Sequence, residues 1–310
     1  MRPLLFGIFL IIAIAVSSQE TALQHTPKPV LVDDTYSSRF KNHNDSVNHS
    51  KTYLLSTVNQ EFQFTFINLE DPYLSPLVYS GVGVAYQFSK ARYFRNAIKR
   101  WYWQSQSNLL MGIAANPSGN SNINYVGGDL GWGVYHHVPA AVANLKIDAG
   151  INSFLNIASK LKSDNVNNPA NVDVALMTAF AAKARYQFLL KRKPMELNLK
   201  LQIPIVGAMY VPMQGATYYE MFSLGNLKNV FHIASLHNYR AMNTSFYVDF
   251  PLQNSSLTLG VLSHVKMHQA NAQIYRFNSM GLLVGWKYDF YRFGGRKNQA
   301  PAHFISTNKY

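Results

Sequence analysis

The sequence contains no cysteine and few charged residues, and both shortages narrow what the protein can be. None of the 310 residues is Cys, and Asp, Glu, Lys and Arg together make up only 14% of the chain. Without Cys there is neither a disulfide framework nor a lipid-modified cysteine, which excludes a lipoprotein and a disulfide-stapled secreted domain. Since soluble domains average about 25% charged residues, the composition favours a protein with an apolar surrounding.

Acidic residues are scarcer than basic ones, with 15 Asp and Glu against 28 Lys and Arg, for a net charge of +13. The basic residues cluster locally at 90–92, 95–100, 191–193 and 292–297. These clusters lie between alternating apolar stretches and do not form the single basic face of a nucleic-acid-binding domain. We therefore expect no nucleic-acid partner, and we expect loop charges that contact outer-membrane lipid and lipopolysaccharide.

Long apolar runs are missing beyond the N-terminus. Arg2 precedes an apolar run over residues 4–16, and Ser17 and Ser18 lie before Gln19 as a small-residue cleavage site. This pattern predicts a signal peptide over residues 1–18, with an N-terminal membrane anchor as the alternative. Residues 19–51 are polar and aperiodic, which predicts an extension that is disordered or folded into the mouth or lumen of the strand-rich region after it.

Alternation of apolar and polar residues begins at residue 52 and is clearest over residues 279–290. Apolar or aromatic side chains stand at the even positions there, including Leu282 and Trp286, while the odd positions include Lys287 and Asp289. A period of two gives an extended strand with one apolar and one polar face. Its length of about twelve residues suits a tilted strand that crosses a bilayer, which needs roughly nine to eleven.

Eleven or twelve segments share this alternation. Because bacterial single-chain barrels have even strand numbers, the pattern predicts an all-β fold, a transmembrane antiparallel up-and-down β-barrel over residues 52–310 in the outer membrane of a Gram-negative cell. We expect about 12 strands, with 10 as the alternative. A secreted β-sandwich is the competing fold, although its strands need fewer successive apolar positions. Helix is the alternative over residues 175–184, residues 160–170 are predicted to be an extracellular loop, and residues 210–229 a loop that folds over an opening.

The faces opposite the apolar side chains carry charges that a polar lumen would accept. The lumen-lining candidates are Asp129, Lys146, Asp148, Asp173, Lys183, Arg185, Lys200, Asp249, His264, Lys266, Lys287 and Asp289.

Three stretches carry a family resemblance. Residues 73–81 (YLSPLVYSG), residues 218–226 (YYEMFSLGN) and the last glycine-containing strand resemble an uncharacterised outer-membrane β-barrel family of Bacteroides-type bacteria, a domain of unknown function. The last strand, with Gly285, Tyr288 and Phe290, also resembles the signal read by barrel-assembly machinery. About twenty residues come after it, so either that signal is internal or a later strand closes the barrel. The resemblance implies location, architecture and contact with the assembly machinery, but no activity.

No arrangement of residues predicts a reaction, cofactor or metal. Ser263 and His264 point to opposite faces of one strand and cannot form a dyad. His264 and His268 share a face with Lys266, where a histidine is usually polar lining, and His136 and His137 point apart without a third metal ligand. The first functional hypothesis is therefore a non-enzymatic barrel, either a small or plugged pore or a structural or docking component. The alternatives are an outer-membrane lipid-modifying enzyme and a subunit of a secretion apparatus with an unknown envelope protein partner.

Overall fold

The computed structural model describes residues 52–140, 142–164, 169–191, 193–252, 255–290, 303–305 and 307. The predicted signal peptide and N-terminal extension, residues 1–51, lie outside the described residues. Within the described residues, no helix has the length and hydropathy needed to cross a membrane.

The described chain is almost entirely β-strand. In chain order the strands are β1 (Thr52–Leu54), β2 (Ser56–Asp71), β3 (Ser75–Tyr93), β4 (Trp101–Ala115), β5 (Asn122–Val138), β6 (Leu145–Leu161), β7 (Ala170–Leu190), β8 (Lys193–Tyr210), β9 (Phe231–Ser235), β10 (Tyr239–Pro251), β11 (Ser255–Ala270), β12 (Gln273–Phe290) and β13 (His303–Ile305). One short helix, α1 (Tyr218–Phe222), lies between β8 and β9.

Ten strands form a closed antiparallel barrel. Strands β2 to β8 pair in sequence order, β8 pairs with β10, β11 and β12 come next, and β12 pairs back onto β2. The all-β antiparallel barrel is confirmed, and the wall has ten strands, the alternative count, rather than about twelve. The count from sequence is higher because β9 alternates like a wall strand but pairs only with Val206–Tyr210 of β8, and the final segment forms β13, which pairs with β1 outside the wall.

Strands β9 and β10 share one strand position beside β8. Ser235 of β9 pairs with Val206, and Asn243 of β10 pairs with Gln202, so residues 236–242 bulge opposite residues 203–205. Pro204 lies within this interval and has no backbone N–H to donate to a neighbouring strand. The pairing between β8 and its neighbour is therefore interrupted at a position where Pro204 could not have donated a backbone hydrogen bond.

Two sequence expectations change in β6 and β7. Residues 175–184 belong to the long strand β7, so the helical alternative is wrong there, because backbone pairing with β6 and β8 on both sides outweighs the helix propensity of alanine. Lys160 belongs to β6 rather than to the predicted loop 160–170, and its side chain is fully buried.

The wall has an apolar outer face and a polar inner face. Along β2, Phe62, Phe64 and Phe66 are about half exposed, whereas Gln63 and Thr65 between them are buried. Comparable exposed apolar side chains occur on the other wall strands, for example Val84, Met111, Trp132, Ile151, Leu176, Ile205, Val261 and Leu282. An apolar band around the outside of a closed barrel is the pattern of a lipid-facing wall.

The two ends of the barrel differ. The terminal end holds the start of β2, the end of β12 and the connections β3–β4, β5–β6, β7–β8 and β10–β11; the distal end holds the other connections. Strand β12, which resembles the assembly signal, closes the barrel by pairing with β2, so the alternative of a later closing strand is wrong. At the terminal end, β13 pairs in parallel with β1.

Candidate functional site

The inward side chains meet in two charged layers, of which the distal layer is the more deeply buried. Lys160 Nζ lies 2.5 Å from Asp71 Oδ2 and 2.8 Å from Asp173 Oδ1. Lys266 Nζ lies 3.9 Å from Asp173 Oδ2 and donates to Asn156 Oδ1 at 3.2 Å. We call these five residues the distal layer. Asp71 lies on β2 and Asp173 on β7, five strands further around the ten-stranded wall, so the layer joins opposite sides of the lumen.

Further contacts hold the distal layer in place. The Asn171 side chain donates to Asp71 Oδ2 at 2.8 Å, and the Asn156 side chain donates to Asp129 Oδ1 at 2.6 Å. The ammonium group of Lys160 also lies 4.1 Å from the centre of the Tyr275 ring. Because a buried charge is costly unless it is paired, these carboxylates and amides are what allow a lysine with no solvent exposure to be accommodated.

Residues 211–230 lie across the distal end. Tyr218 of α1 donates its hydroxyl to Asn171 Oδ1 at 3.0 Å and accepts from the Val172 N–H at 2.6 Å. The Tyr73 hydroxyl, which comes from the β2–β3 connection, donates to the carbonyl of Ala216 at 2.8 Å. Burial raises the pKa of Tyr73 to about 12 and also raises the pKa of Tyr218. The predicted loop thus contains a helical turn and contacts strands on both sides of the distal mouth.

The terminal layer consists of Asp148, Arg185, Glu196, Asp249 and Lys287. Asp148 Oδ2 lies 3.2 Å from Arg185 Nη2, and Lys287 Nζ lies 3.2 Å from Glu196 Oε1 and 2.5 Å from Asp249 Oδ2. All five belong to β6, β7, β8, β10 and β12 near the terminal end. The layer therefore lines one half of the lumen circumference and carries two cations against three carboxylates.

A polar cavity of about 130 Å³, the central chamber, lies between the two layers. Its lining includes Gln63, Gln106, Asn108, Lys183, Lys200 and His264. Lys200 Nζ lies 3.4 Å from Glu61 Oε1, which joins β8 to β2. Lys183 donates to the Gln104 side chain and to the Tyr102 hydroxyl, and it lies 3.7 Å from the centre of the Tyr135 ring.

The structure places all twelve predicted lumen residues on the inward faces of their strands, and it divides them among these regions. Asp173 and Lys266 are in the distal layer, with Asp129 bonded to it; Lys183, Lys200 and His264 line the central chamber; Asp148, Arg185, Asp249 and Lys287 are in the terminal layer. Lys146 lies on the same face of β6 as Asp148, and Asp289 accepts from Thr57 Oγ1 at 2.9 Å, both near the terminal end.

Sequence reasoning missed four charged partners: Asp71, Lys160, Glu61 and Glu196. Lys160 and Asp71 lie at the ends of strands next to turn residues, so a reading by turn signals assigns them to loops. The alternation along β6 could have identified Lys160 as a lumen residue. Even-numbered residues of this strand, such as Asp148, point inward, and Lys160 is also even-numbered. Glu61 and Glu196 also share the inward parity of Gln63 and Asn198.

The chemistry available to these groups is limited. His137 Nδ1 lies 3.1 Å from Asp148 Oδ1, which resembles two members of a hydrolytic triad, but the hydroxyl on that carboxylate belongs to Tyr102. Ser235 Oγ contacts His237 Nδ1 in an exposed turn, where the nearby Asn238 side chain bonds backbone atoms instead of orienting the imidazole. Among the described residues, no group of three His, Cys, Asp or Glu is placed to hold a metal ion.

The comparisons with known proteins place the chain in a family. Residues 23–297 match the model of a family described as a protein of unknown function, DUF3316. The chain belongs to the DUF3316 family. A search of the curated proteins found no match to this DUF3316 chain. Its origin in a Bacteroides-type bacterium stays a prediction.

The search of solved structures returned bacterial proteins with different descriptions. The outer membrane protease OmpT from Escherichia coli is 6% identical, with a TM-score of 0.42 over 76% of this chain and 96% of that chain. The beta domain of the Bordetella autotransporter BrkA is 8% identical, with a TM-score of 0.40 over 77% of this chain and 100% of that one. An outer membrane channel from Pseudomonas putida F1 is 8% identical, with a TM-score of 0.30 over 80% and 100%.

Proposed function

We propose that this DUF3316 protein is a non-enzymatic integral outer-membrane barrel with a closed lumen, which acts as a structural or docking component of the membrane. The observation that carries this proposal is the distal layer, in which Lys160 joins Asp71 on β2 to Asp173 on the opposite side of the wall. An open pore needs a continuous aqueous path, whereas these ion pairs and the 211–230 segment cross that path.

The apolar band supports the membrane location. Phenylalanine, leucine and valine side chains on the outer face are half exposed around the wall, and so large an exposed apolar surface requires lipid or protein to cover it. We infer that phospholipid and lipopolysaccharide cover it, and that barrel-assembly machinery inserts the chain by reading β12, which closes the wall and ends in Tyr288 and Phe290. Nothing in this arrangement calls for nucleic acid.

The location is tested by heat-modifiability. The folded protein is run on a detergent gel with and without boiling, and its circular dichroism is recorded in the same micelles. We expect a mobility shift on boiling together with a β-rich spectrum, because a closed ten-stranded wall resists detergent. A protein that shows no shift and remains soluble after detergent removal would contradict the membrane proposal.

Conductance in a planar bilayer tests the closed lumen. We expect no steady channel from the wild type and a steady channel from the double variant Lys160→Ser, Lys287→Ser, which removes one cation from each charged layer. The matched control is Lys162→Ser, Lys228→Ser, which changes two lysines outside the lumen and should stay closed. A steady channel in the wild type would show that the protein is a pore.

A further inference from the structure

A second cavity, the terminal chamber, lies in the lumen toward the terminal end. It measures about 70 Å³, enough for several water molecules. Its lining includes Thr57, Asp148, Lys183, Arg185, Lys287 and Thr307, and it shares Lys183 and Lys200 with the central chamber. The two chambers are therefore neighbours along the lumen, with Lys183 and Lys200 bordering both.

Two basic side chains in the lining of the terminal chamber carry groups that the described residues do not fully compensate. Lys183, Arg185, Lys200 and Lys287 line it, against one carboxylate, Asp148. Lys200 and Lys287 are paired with glutamate and aspartate from other strands. Lys183 forms no ion pair with any described residue, and Arg185 Nε is buried without a hydrogen-bond partner. A buried cation and a buried unpaired donor are both costly, and an anion in the chamber would satisfy them.

The C-terminal segment already places an oxygen atom at this site. Thr307 is buried, its carbonyl oxygen accepts from Arg185 Nη1 at 2.9 Å, and its hydroxyl donates to Thr57 Oγ1 at 2.7 Å. A carbonyl oxygen carries a partial negative charge and so occupies the position that an anion would take beside Arg185. The attached strand β13 pairs with the three residues of β1 and is not part of the closed wall, so its displacement leaves the barrel intact.

The rim outside the chamber is cationic. The exposed residues Arg95, Lys99 and Arg100 lie in the β3–β4 connection, and Lys191 and Lys193 lie at the β7–β8 connection, both at the terminal end. Residues 94–100 and 191–193 contain no Asp or Glu. A rim of one sign beside a low-dielectric opening concentrates ions of the opposite sign and speeds their entry.

We propose that the terminal chamber binds a small anion through a carboxylate or phosphate group, and that the C-terminal segment at Thr307 blocks its entrance until it is displaced. Lys183 and Arg185 hold the anion. The proposal concerns binding and not conduction, so it can fail or succeed independently of the closed distal layer.

The absence of cysteine permits a reversible lock of the entrance. The side-chain oxygens of Thr57 and Thr307 are 2.7 Å apart, which is close enough for the paired substitutions Thr57→Cys and Thr307→Cys to be tested for disulfide formation by mass spectrometry. The full-length variant in micelles is titrated calorimetrically with inorganic phosphate and, in a separate arm, with succinate. We expect the reduced protein to bind at least tenfold more tightly than the oxidised protein, and the tighter arm identifies the anion class.

Two further variants keep the proposal open to refutation. Deletion of residues 303–310 needs no disulfide and should bind as the reduced double variant does. Adding Lys183→Gln to the deletion should weaken binding at least tenfold, because Lys183 is one of the two residues that hold the anion. The change breaks no ion pair of the described residues, so the barrel should still fold, and the control Lys228→Gln at the distal end should leave binding unchanged. If the deleted protein remains heat-modifiable and binds neither phosphate nor succinate, the chamber is not an anion site. If the oxidised and reduced proteins bind equally, the C-terminal segment does not block its entrance.

Discussion

The replacement Lys160→Met tests whether the distal layer is dry enough to close the barrel. Lys160 has no exposed side-chain surface, and its partners Asp71 and Asp173 are 3% and 8% exposed. Removing one partner of a buried ion pair leaves an uncompensated charge and typically costs about 3–5 kcal/mol. Asn171 still donates to Asp71, and Lys266 stays near Asp173, so we expect about 3 kcal/mol, the lower end of that range.

The neighbouring lysine provides the control. Lys162 Nζ lies 2.8 Å from Asp164 Oδ2, the same distance that separates Lys160 from Asp173. Lys162 is 12% exposed but its partner Asp164 is 46% exposed, so the ion pair itself is open to solvent. Exposed pairs contribute about 0–1 kcal/mol, so Lys162→Met should change stability by no more than that. Adding Asp71→Asn to Lys160→Met should restore part of the loss, because it neutralises the buried carboxylate that has lost its lysine, whereas Asp173 is left unchanged and keeps Lys266 nearby.

Reversible urea unfolding in lipid vesicles, followed by tryptophan fluorescence, measures these differences. The slope of the free energy with urea concentration must stay constant across the variants, since a changed slope would report a change in the unfolded reference state instead. If Lys160→Met and Lys162→Met lose the same stability within about 1 kcal/mol, water screens the distal layer. The argument for a closed lumen would then have no energetic basis.

Two further predictions concern the wall and the distal segment. Leu282 is 63% exposed in the middle of β12, so Leu282→Arg should cost about 2–4 kcal/mol of stability in vesicles. The control Leu224→Arg, in the exposed 211–230 segment, should change stability by about 0.5 kcal/mol or less. Equal costs would show that the wall does not face lipid. Burial raises the pKa of Tyr73 from 10 to about 12. The contribution of the neutral Tyr73 hydroxyl to folding stability should therefore be complete below pH 10 and lost as the pH rises to 12. The stability advantage of wild type over Tyr73→Phe should therefore shrink across that interval, and a constant difference would contradict the assignment.

The inward and outward faces could be predicted from the sequence because a strand in a barrel wall has one rule, the alternation of neighbours. Asp148, Lys183 and Lys287 could be assigned to the lumen from parity alone. Partner choice could not, because it depends on how the strands stagger around the ring. Lys160 and Asp71 are 89 positions apart in the chain, and a local sequence pattern contains no information about so distant a pairing.

The strand number was less predictable than the faces, for a physical reason. A short strand such as β9 has the same alternation of apolar and polar residues as a long one. A wall strand must also be hydrogen-bonded to a neighbour on each side, and which strands become neighbours depends on the whole barrel. Likewise, the sequence indicates that residues 303–310 come after the closing strand, but not that Thr307 returns to the terminal end to bond Arg185.

The lumen is not equally closed along its length, and this asymmetry links the closed barrel to the anion proposal. An eight-stranded barrel is just wide enough for side chains to fill, so a ten-stranded one needs long side chains to bridge it, and Lys160 does so at the distal end. At the terminal end the layer lines one half of the ring, and the remaining space is occupied by β1, whose Leu54 packs with Tyr93, Tyr102 and Tyr135, and by Thr307. Opening the distal end separates buried charges, whereas opening the terminal end breaks hydrogen bonds of a segment outside the wall. A hydrogen bond between neutral groups, such as Thr307 to Thr57, contributes about 0.5–1.5 kcal/mol, and one from a charged group, such as Arg185 to Thr307, contributes about 1.5–3 kcal/mol. Because breaking the buried pair at the distal end costs about 3–5 kcal/mol, any traffic into the lumen should pass through the terminal end and stop at the distal layer.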